Sequence, residues 1–119
     1  MQVFSFEELI IWQEARVIVK DIYSIFEQSR DYDFKSQINS AAISIMNNIA
    51  EGFDRNKNAE DRKQFRNFLN YSYGSCGEVR SMLYMAEDLG YLLPSEAQVL
   101  RTKCYSLSCK IIAFMNTLR

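Results

Sequence analysis

The residues able to do chemistry in this chain are few. Histidine is absent from its 119 residues. That removes Ser-His-Asp and Cys-His arrangements, HExxH zinc sites and the usual proton shuttle at neutral pH. It also removes the Glu-x-x-His ligands of di-iron helical bundles. Cys76, Cys104 and Cys109 are odd in number and form no CxxC pair, which argues against a disulfide scaffold and a zinc site. Each reads as a small buried hydrophobe. A carboxylate-only metal site would draw on Glu51, Glu78 and Glu87, whose competing reading is solvated or salt-bridged side chains. Neither a GxxxxGK[ST] loop nor a GxGxxG turn is present. Gly74-Ser75-Cys76-Gly77 falls inside a helix, where backbone amides are already occupied. The expectation is a non-enzymatic protein without catalytic, cofactor or metal site.

The basic residues offer a different chemistry. Arg55, Lys57, Arg62, Lys63 and Arg66 cluster around the start of the third expected helix and form a candidate nucleic-acid patch. Asp54, Glu60 and Asp61 dilute it, so a self-paired surface competes with that reading. Fourteen basic against fifteen acidic residues give a net charge of -1, whereas a dedicated duplex-DNA binder carries a basic excess. Assembly into an oligomer would repeat the patch once per subunit and add avidity.

The elements that must position these residues are helices. With 48% hydrophobic and 24% charged residues, one proline and four glycines, the chain reads as one globular all-α domain over residues 1–119. No apolar run approaches the ~18 residues of a membrane span. Met1-Gln2-Val3-Phe4-Ser5 lacks the regions of a signal peptide, so a cytoplasmic location is expected. Ser5-Phe6-Glu7-Glu8 spells a capping box, with Phe4 and Leu9 as a hydrophobic staple. Leu9, Trp12, Ala15, Val19, Ile22 and Phe26 then recur at helical spacing, fading near Ser29-Arg30-Asp31. Asp33 is the expected N-cap of a second helix with inner stripe Phe34, Ile38, Ala41, Ile45 and Ile49, stopped by Gly52. Small residues at Ser40, Ala41, Ala42 and Ser44 would let another helix approach. Residues 54–58 read as a turn. Asn58 then caps a third helix striped by Phe65, Leu69, Ser72, Cys76, Val79, Leu83, Ala86 and Leu89, closed by Gly90. Pro94 opens a fourth, with a capping box at Ser95-Glu96-Ala97-Gln98. Its seam is Ala97, Leu100, Cys104, Leu107, Ile111, Phe114 and Leu118, running to the chain end. Four such helices with short connections predict an antiparallel up-down-up-down four-helix bundle.

The helices carry more apolar surface than one bundle needs. Phe68, Tyr71, Met82 and Met85 lie beside the third stripe, Ile10, Ile11, Val17 and Ile18 beside the first, and Ile112 beside the fourth. A second stripe marks contact with another subunit, or else a wide stripe buried within one bundle. Gly74 and Gly77 each cost the third helix roughly 1 kcal/mol relative to alanine, which suggests close approach by another helix.

Several segments resemble a known family. They are Phe6 to Ala15 around Trp12, then Ser44-Ile45 with Asn48-Ile49-Ala50-Glu51-Gly52-Phe53, then Phe68-Leu69 with Gly74-Ser75 and Glu78, and finally Leu89-Gly90-Tyr91-Leu92. In this order they resemble the 23S rRNA intervening-sequence proteins and cover most of the chain. The resemblance implies an up-down four-helix bundle assembled as a cyclic homopentamer. The family's name comes from reading frames inside insertions in 23S rRNA genes, and its members are not standard ribosome components. A related branch serves diversity-generating retroelements, where a pentameric accessory protein binds a reverse transcriptase and nucleic acid. Trp12, Asn48, Glu51, Gly52, Gly74, Ser75 and Glu78 are the matching motif residues, expected to be structural. Asn39 and Ser40 stand where the family often has a basic pair, which weakens an inherited nucleic-acid role. Met46 stands where it often has proline, which suggests a straighter second helix. The expected function is a homo-oligomeric, RNA- or DNA-associated accessory protein. A protein-interaction scaffold with no nucleic-acid role is the alternative.

Overall fold

Apolar stripes at helical spacing become buried faces in a computed structural model of the chain, which describes residues 3–118. Met1, Gln2 and Arg119, at the edges of the expected domain, lie outside the described residues. A short 3-10 turn, Phe6–Glu8, precedes α1 (Ile10–Ile25), α2 (Tyr32–Arg55), α3 (Asp61–Asp88) and α4 (Pro94–Asn116). The described residues contain no strand. None of their helices is long and apolar enough to cross a membrane.

The helices pack around a square. Each touches its two chain neighbours, α4 returns to α1, and the diagonal pairs make no comparable approach. Cross-helix pairs give the direction. Glu14 meets Lys110 and Asp21 meets Lys103, so seven steps forward on α1 are seven back on α4. Arg80 with Tyr105 and Tyr84 with Arg101 repeat the pattern between α3 and α4. Both pairs of helices are antiparallel. The molecule is a rod of 47 × 22 × 20 Å.

The core takes one stripe from each helix, with Ile18 and Ile22, Ile38 and Ile45, Leu69 and Leu83, and Leu107 and Ile111 at its centre. On α1 the stripe is wider than expected. Ile11 and Ile18 are core residues, while Trp12 and Val19 are half-buried beside them. Leu89 and Phe114 were expected in the inner stripes. Leu89 is exposed, and Phe114 packs against the core from a half-buried position.

Aromatic ladders plug both ends of the rod. At one, Phe26, Phe34 and Tyr91 stack edge to face at centroid distances of 5.4 Å each. At the other, Phe65 lies 6.1 Å from Phe53 and 5.7 Å from Phe114.

Helix ends depart from the sequence spelling. Glu8 does reach back, accepting from Phe4 N–H at 2.7 Å and Ser5 N–H at 3.3 Å. It closes only the 3-10 turn, because Leu9 is extended and breaks the helix. Phe4 is exposed, so no staple forms. α1 ends at Ile25, earlier than expected. Asp31, not Asp33, caps α2 by accepting from Phe34 N–H at 3.1 Å. Gly52 does not stop α2, which continues to Arg55 with Gly52 buried inside it. The N-cap position of α3 is Glu60, not Asn58; Asn58 Oδ1 accepts from the N–H groups of Glu60 and Asp61 at 3.0 and 3.2 Å and so closes the turn that leads into the helix. Gly90, at φ +75°, ends α3. Tyr91 N–H reaches Ala86 O and Gly90 N–H reaches Glu87 O, the Schellman pattern. Pro94 opens α4, but the box is Leu93 N–H to Glu96, not Ser95 to Gln98. α4 stops at Asn116 rather than at the chain end.

Candidate interaction surfaces

Three of the seven family-motif residues, Asn48, Gly52 and Ser75, lie on the seam between α2 and α3, the tightest pair in the bundle. Ser72 is fully buried and its hydroxyl donates to Ile45 O at 2.6 Å. One turn along, Ser75 Oγ donates to Ser44 Oγ at 2.9 Å. Asn48 Nδ2 donates to the same oxygen at 2.9 Å and to Ser44 O at 2.8 Å. Small side chains let the helices close in, and hydroxyls satisfy each other where backbone approaches. Gly52 serves the same seam. A Cβ there would sit 2.8 Å from both Phe65 Cδ1 and Phe68 Cβ. Gly52 and Ser75 therefore hold two helices together, and Asn48, bonded to Ser44 within α2, fixes the hydroxyl that Ser75 reaches.

The other motif residues do different work. Trp12 stacks on Phe6 at 5.1 Å and lies under the Arg16 guanidinium at 5.7 Å, fixing the 3-10 turn to α1. Glu51 pairs with Arg55 at 2.9 Å within α2. Gly74, Gly77 and Glu78 are exposed. A Cβ on Gly74 or Gly77 would meet nothing within 4 Å, so no helix of this chain uses the space they leave.

Glu51, Glu78 and Glu87 are not brought together. Glu51 pairs on α2, whereas Glu87 bonds Arg101 on α4 at 3.1 Å. The described residues hold no group of three or more His, Cys, Asp or Glu able to share a metal ion. Cys76 and Cys104 are buried in the core, and burial pushes both thiols up to about 12. Cys109 was expected to be buried with them and is exposed, because it falls off the inner stripe of α4.

The basic residues 55–66 do gather at one end of the rod, on the last turn of α2, the connection and the start of α3. Arg55 is engaged by Glu51 and lies over the Phe68 ring at 5.4 Å. Arg66 is half-buried, with its Nε lacking a hydrogen-bond partner. Lys57, Arg62 and Lys63 are exposed. Among the described residues, Arg55 is the member of the five that is ion-paired.

Two apolar surfaces stay uncovered. One is the outer face of α3, where Tyr71 is 61% and Met85 51% exposed on either side of Gly74. The other is the groove between α1 and α4, a concavity of about 470 Å³ around Val17, Ile18 and Thr102, bridged by Glu14–Lys110 and Asp21–Lys103. Ile11 and Ile18, first grouped with this surplus, belong to the core.

A third surface escaped the sequence reading. Across the α3–α4 seam, Arg80 Cζ lies 5.0 Å from the Tyr105 ring centre and Arg101 Cζ 4.0 Å from that of Tyr84. The signal was available as Arg-x-x-x-Tyr spelled once in each helix. Its meaning depends on the antiparallel register of α3 and α4, which spacing along one helix does not give.

The described residues thus form an all-helical four-helix bundle with a polar clasp between α2 and α3 and uncovered apolar outer faces. The chain belongs to the 23S rRNA-intervening sequence protein family, whose model matches residues 7–113. No curated protein gives a significant match.

Proposed function

We propose that the chain is a non-enzymatic subunit of a cytoplasmic homo-oligomer that associates with RNA or DNA as an accessory protein. The observation that carries the assembly is the pair Gly74 and Gly77. Both sit exposed in the middle of a 28-residue helix, with open space beside them. Glycine there weakens the helix by roughly 1 kcal/mol each, and nothing in the same chain gains from it. A second copy packing backbone-close on α3 would. Its own contribution would be the α1–α4 groove around Val17. The two surfaces differ in composition and lie on different helices, so the contact is head-to-tail, which gives a ring where the rotation closes and an open filament where it does not. The family resemblance implies five copies.

Nucleic-acid association rests on the family and on the exposed Lys57, Arg62 and Lys63, multiplied around the ring. A scaffold for protein partners is the second reading, favoured by a net charge of -1. Light scattering tests the assembly, and a monomer at high concentration overturns it. Filter binding to structured RNA across a salt series tests the association, which no binding at low salt would sink.

A further inference from the structure

Arg80-x-x-x-Tyr84 on α3 and Arg101-x-x-x-Tyr105 on α4 have the same spacing, one helical turn. Because the two helices run antiparallel, each arginine meets the other helix's tyrosine. Four planar groups result, two cationic and two aromatic, on one outward seam. Both rings remain more than half exposed, Tyr84 at 55% and Tyr105 at 56%. They border a shallow depression of about 420 Å³ completed by Gln98 and Thr102. Arg80 makes no ion pair among the described residues. Arg101 is largely buried, its side chain 14% exposed; it uses one nitrogen on Glu87, and its Nη1 is buried without a hydrogen-bond partner.

The fold does not require this arrangement. α3 and α4 are already joined beneath it by the buried stripes that include Cys76, Leu83, Cys104 and Leu107. The seam instead presents flat faces next to cations. An acidic peptide would occupy the guanidinium groups and leave both ring faces idle. A nucleic-acid duplex hides its base faces in the stack. A single strand offers both a phosphate for the unpaired Arg80 and a free π-face for each ring.

We propose that this seam binds a short stretch of single-stranded nucleic acid. Bases stack on Tyr84 and Tyr105, the backbone lies along Arg80, and Arg101 holds the Tyr84 ring in place from beneath. The inference rests on the nucleic-acid half of the proposed function and moves its principal contact from the 55–66 cluster to the α3–α4 seam. Glu87 offsets one positive charge, so each subunit binds modestly and a ring gains by repetition.

The test is fluorescence anisotropy of the full chain with a short labelled oligouridylate, against a duplex and an oligoglutamate competitor. Single strand is expected to bind better than duplex. Tyr105→Leu should weaken binding about tenfold, the scale of one lost base stack, whereas Tyr105→Phe keeps the ring and binds within about twofold of the parent. Arg80→Gln should flatten the salt dependence by about 0.7 in the log–log slope. An Arg62→Gln/Lys63→Gln double variant should lose less affinity than Arg80→Gln, because the 55–66 cluster is the secondary contact. Thermal melts by circular dichroism establish that each variant is folded, and Arg80→Gln with the photocrosslink retains the test if the leucine variant is not. Photocrosslinking with 5-iodouridine should label Tyr84 or Tyr105. Binding by the parent that survives Tyr105→Leu, crosslinks confined to residues 55–66, or displacement by oligoglutamate at equal charge each overturns the seam alone. No binding of single strand or structured RNA at low salt removes the nucleic-acid function and the seam together.

Discussion

Gly52 and Gly74 stand in neighbouring helices and do opposite things. At Gly52 the missing side chain is where α3 passes, and an added methyl would press on the Phe65 ring and on Phe68 Cβ. Gly52→Ala should therefore lower stability by about 1–3 kcal/mol through forced repacking, read as a reduced urea midpoint at unchanged slope. At Gly74 the space is open. Gly74→Ala should raise the stability of the isolated chain by about 1 kcal/mol, the helix-propensity difference, and weaken association in light scattering. Stabilisation with association intact would remove the argument for a helix docked there. Buried thiols obey similar logic. Thiolate is the reactive form, and Cys76 and Cys104 are held near 12. A thiol reagent at neutral pH should titrate one cysteine per folded chain quickly, and three in denaturant.

At the scale of the element, the loops at one end of the rod are tied together. Asp31, the N-cap of α2, accepts from the Tyr91 hydroxyl at 2.6 Å. Tyr91 follows the Gly90 stop of α3, so one hydrogen bond joins the first and third connections. The Tyr91 and Phe34 donors hold the Asp31 carboxyl below its ordinary 3.8. Asp31 in turn holds the Tyr91 phenol above its ordinary 10.0. A lowered acid stabilises the fold above its unfolded value and stops doing so as pH falls through the folded one. A raised phenol stabilises below its unfolded value and stops as pH rises through the folded one. The stability difference between parent and Tyr91→Phe should be flat across neutral pH and shrink toward both extremes, in urea melts over a pH series. A difference that grew at either extreme would contradict the clamp.

Much of this architecture was legible in sequence. The α2 stripe Phe34, Ile38, Ala41, Ile45 and Ile49 is buried as the spacing predicts, because period alone decides which face turns inward. Gly90 acts as its type suggests. Ends were harder, since competing caps lie two residues apart, as Asp31 and Asp33 do. Choice between them depends on which carboxylate also finds Tyr91, a partner sixty residues away. Gly52 was misread as a stop for a related reason. A glycine spells both a left-handed turn and a close approach, and only the position of Phe65 distinguishes them. The Arg–Tyr seam was spelled out, but its meaning required knowing that α3 and α4 are antiparallel neighbours.

At the scale of the whole molecule, the bundle is tight on one side and looser on another. α2 and α3 share a hydroxyl clasp, whereas α1 and α4 leave a groove bridged by two exposed ion pairs. Such pairs contribute about 0–1 kcal/mol each, so the groove is the side open to occupation. Val17 is 51% exposed there. Val17→Glu should leave the thermal melt of the monomer nearly unchanged and reduce the assembled fraction in light scattering. An assembly indifferent to that charge would place the subunit contact elsewhere.

Cys109 lies on the outer side of α4, one turn beyond Tyr105, while the other two thiols are buried. The native chain therefore comes with a single addressable anchor for a fluorophore, without any engineering. Dyes placed there would bleach in as many discrete steps as there are copies in one particle. Their brightness would also report whatever settles on the neighbouring seam, so stoichiometry and occupancy become readable from the same molecule.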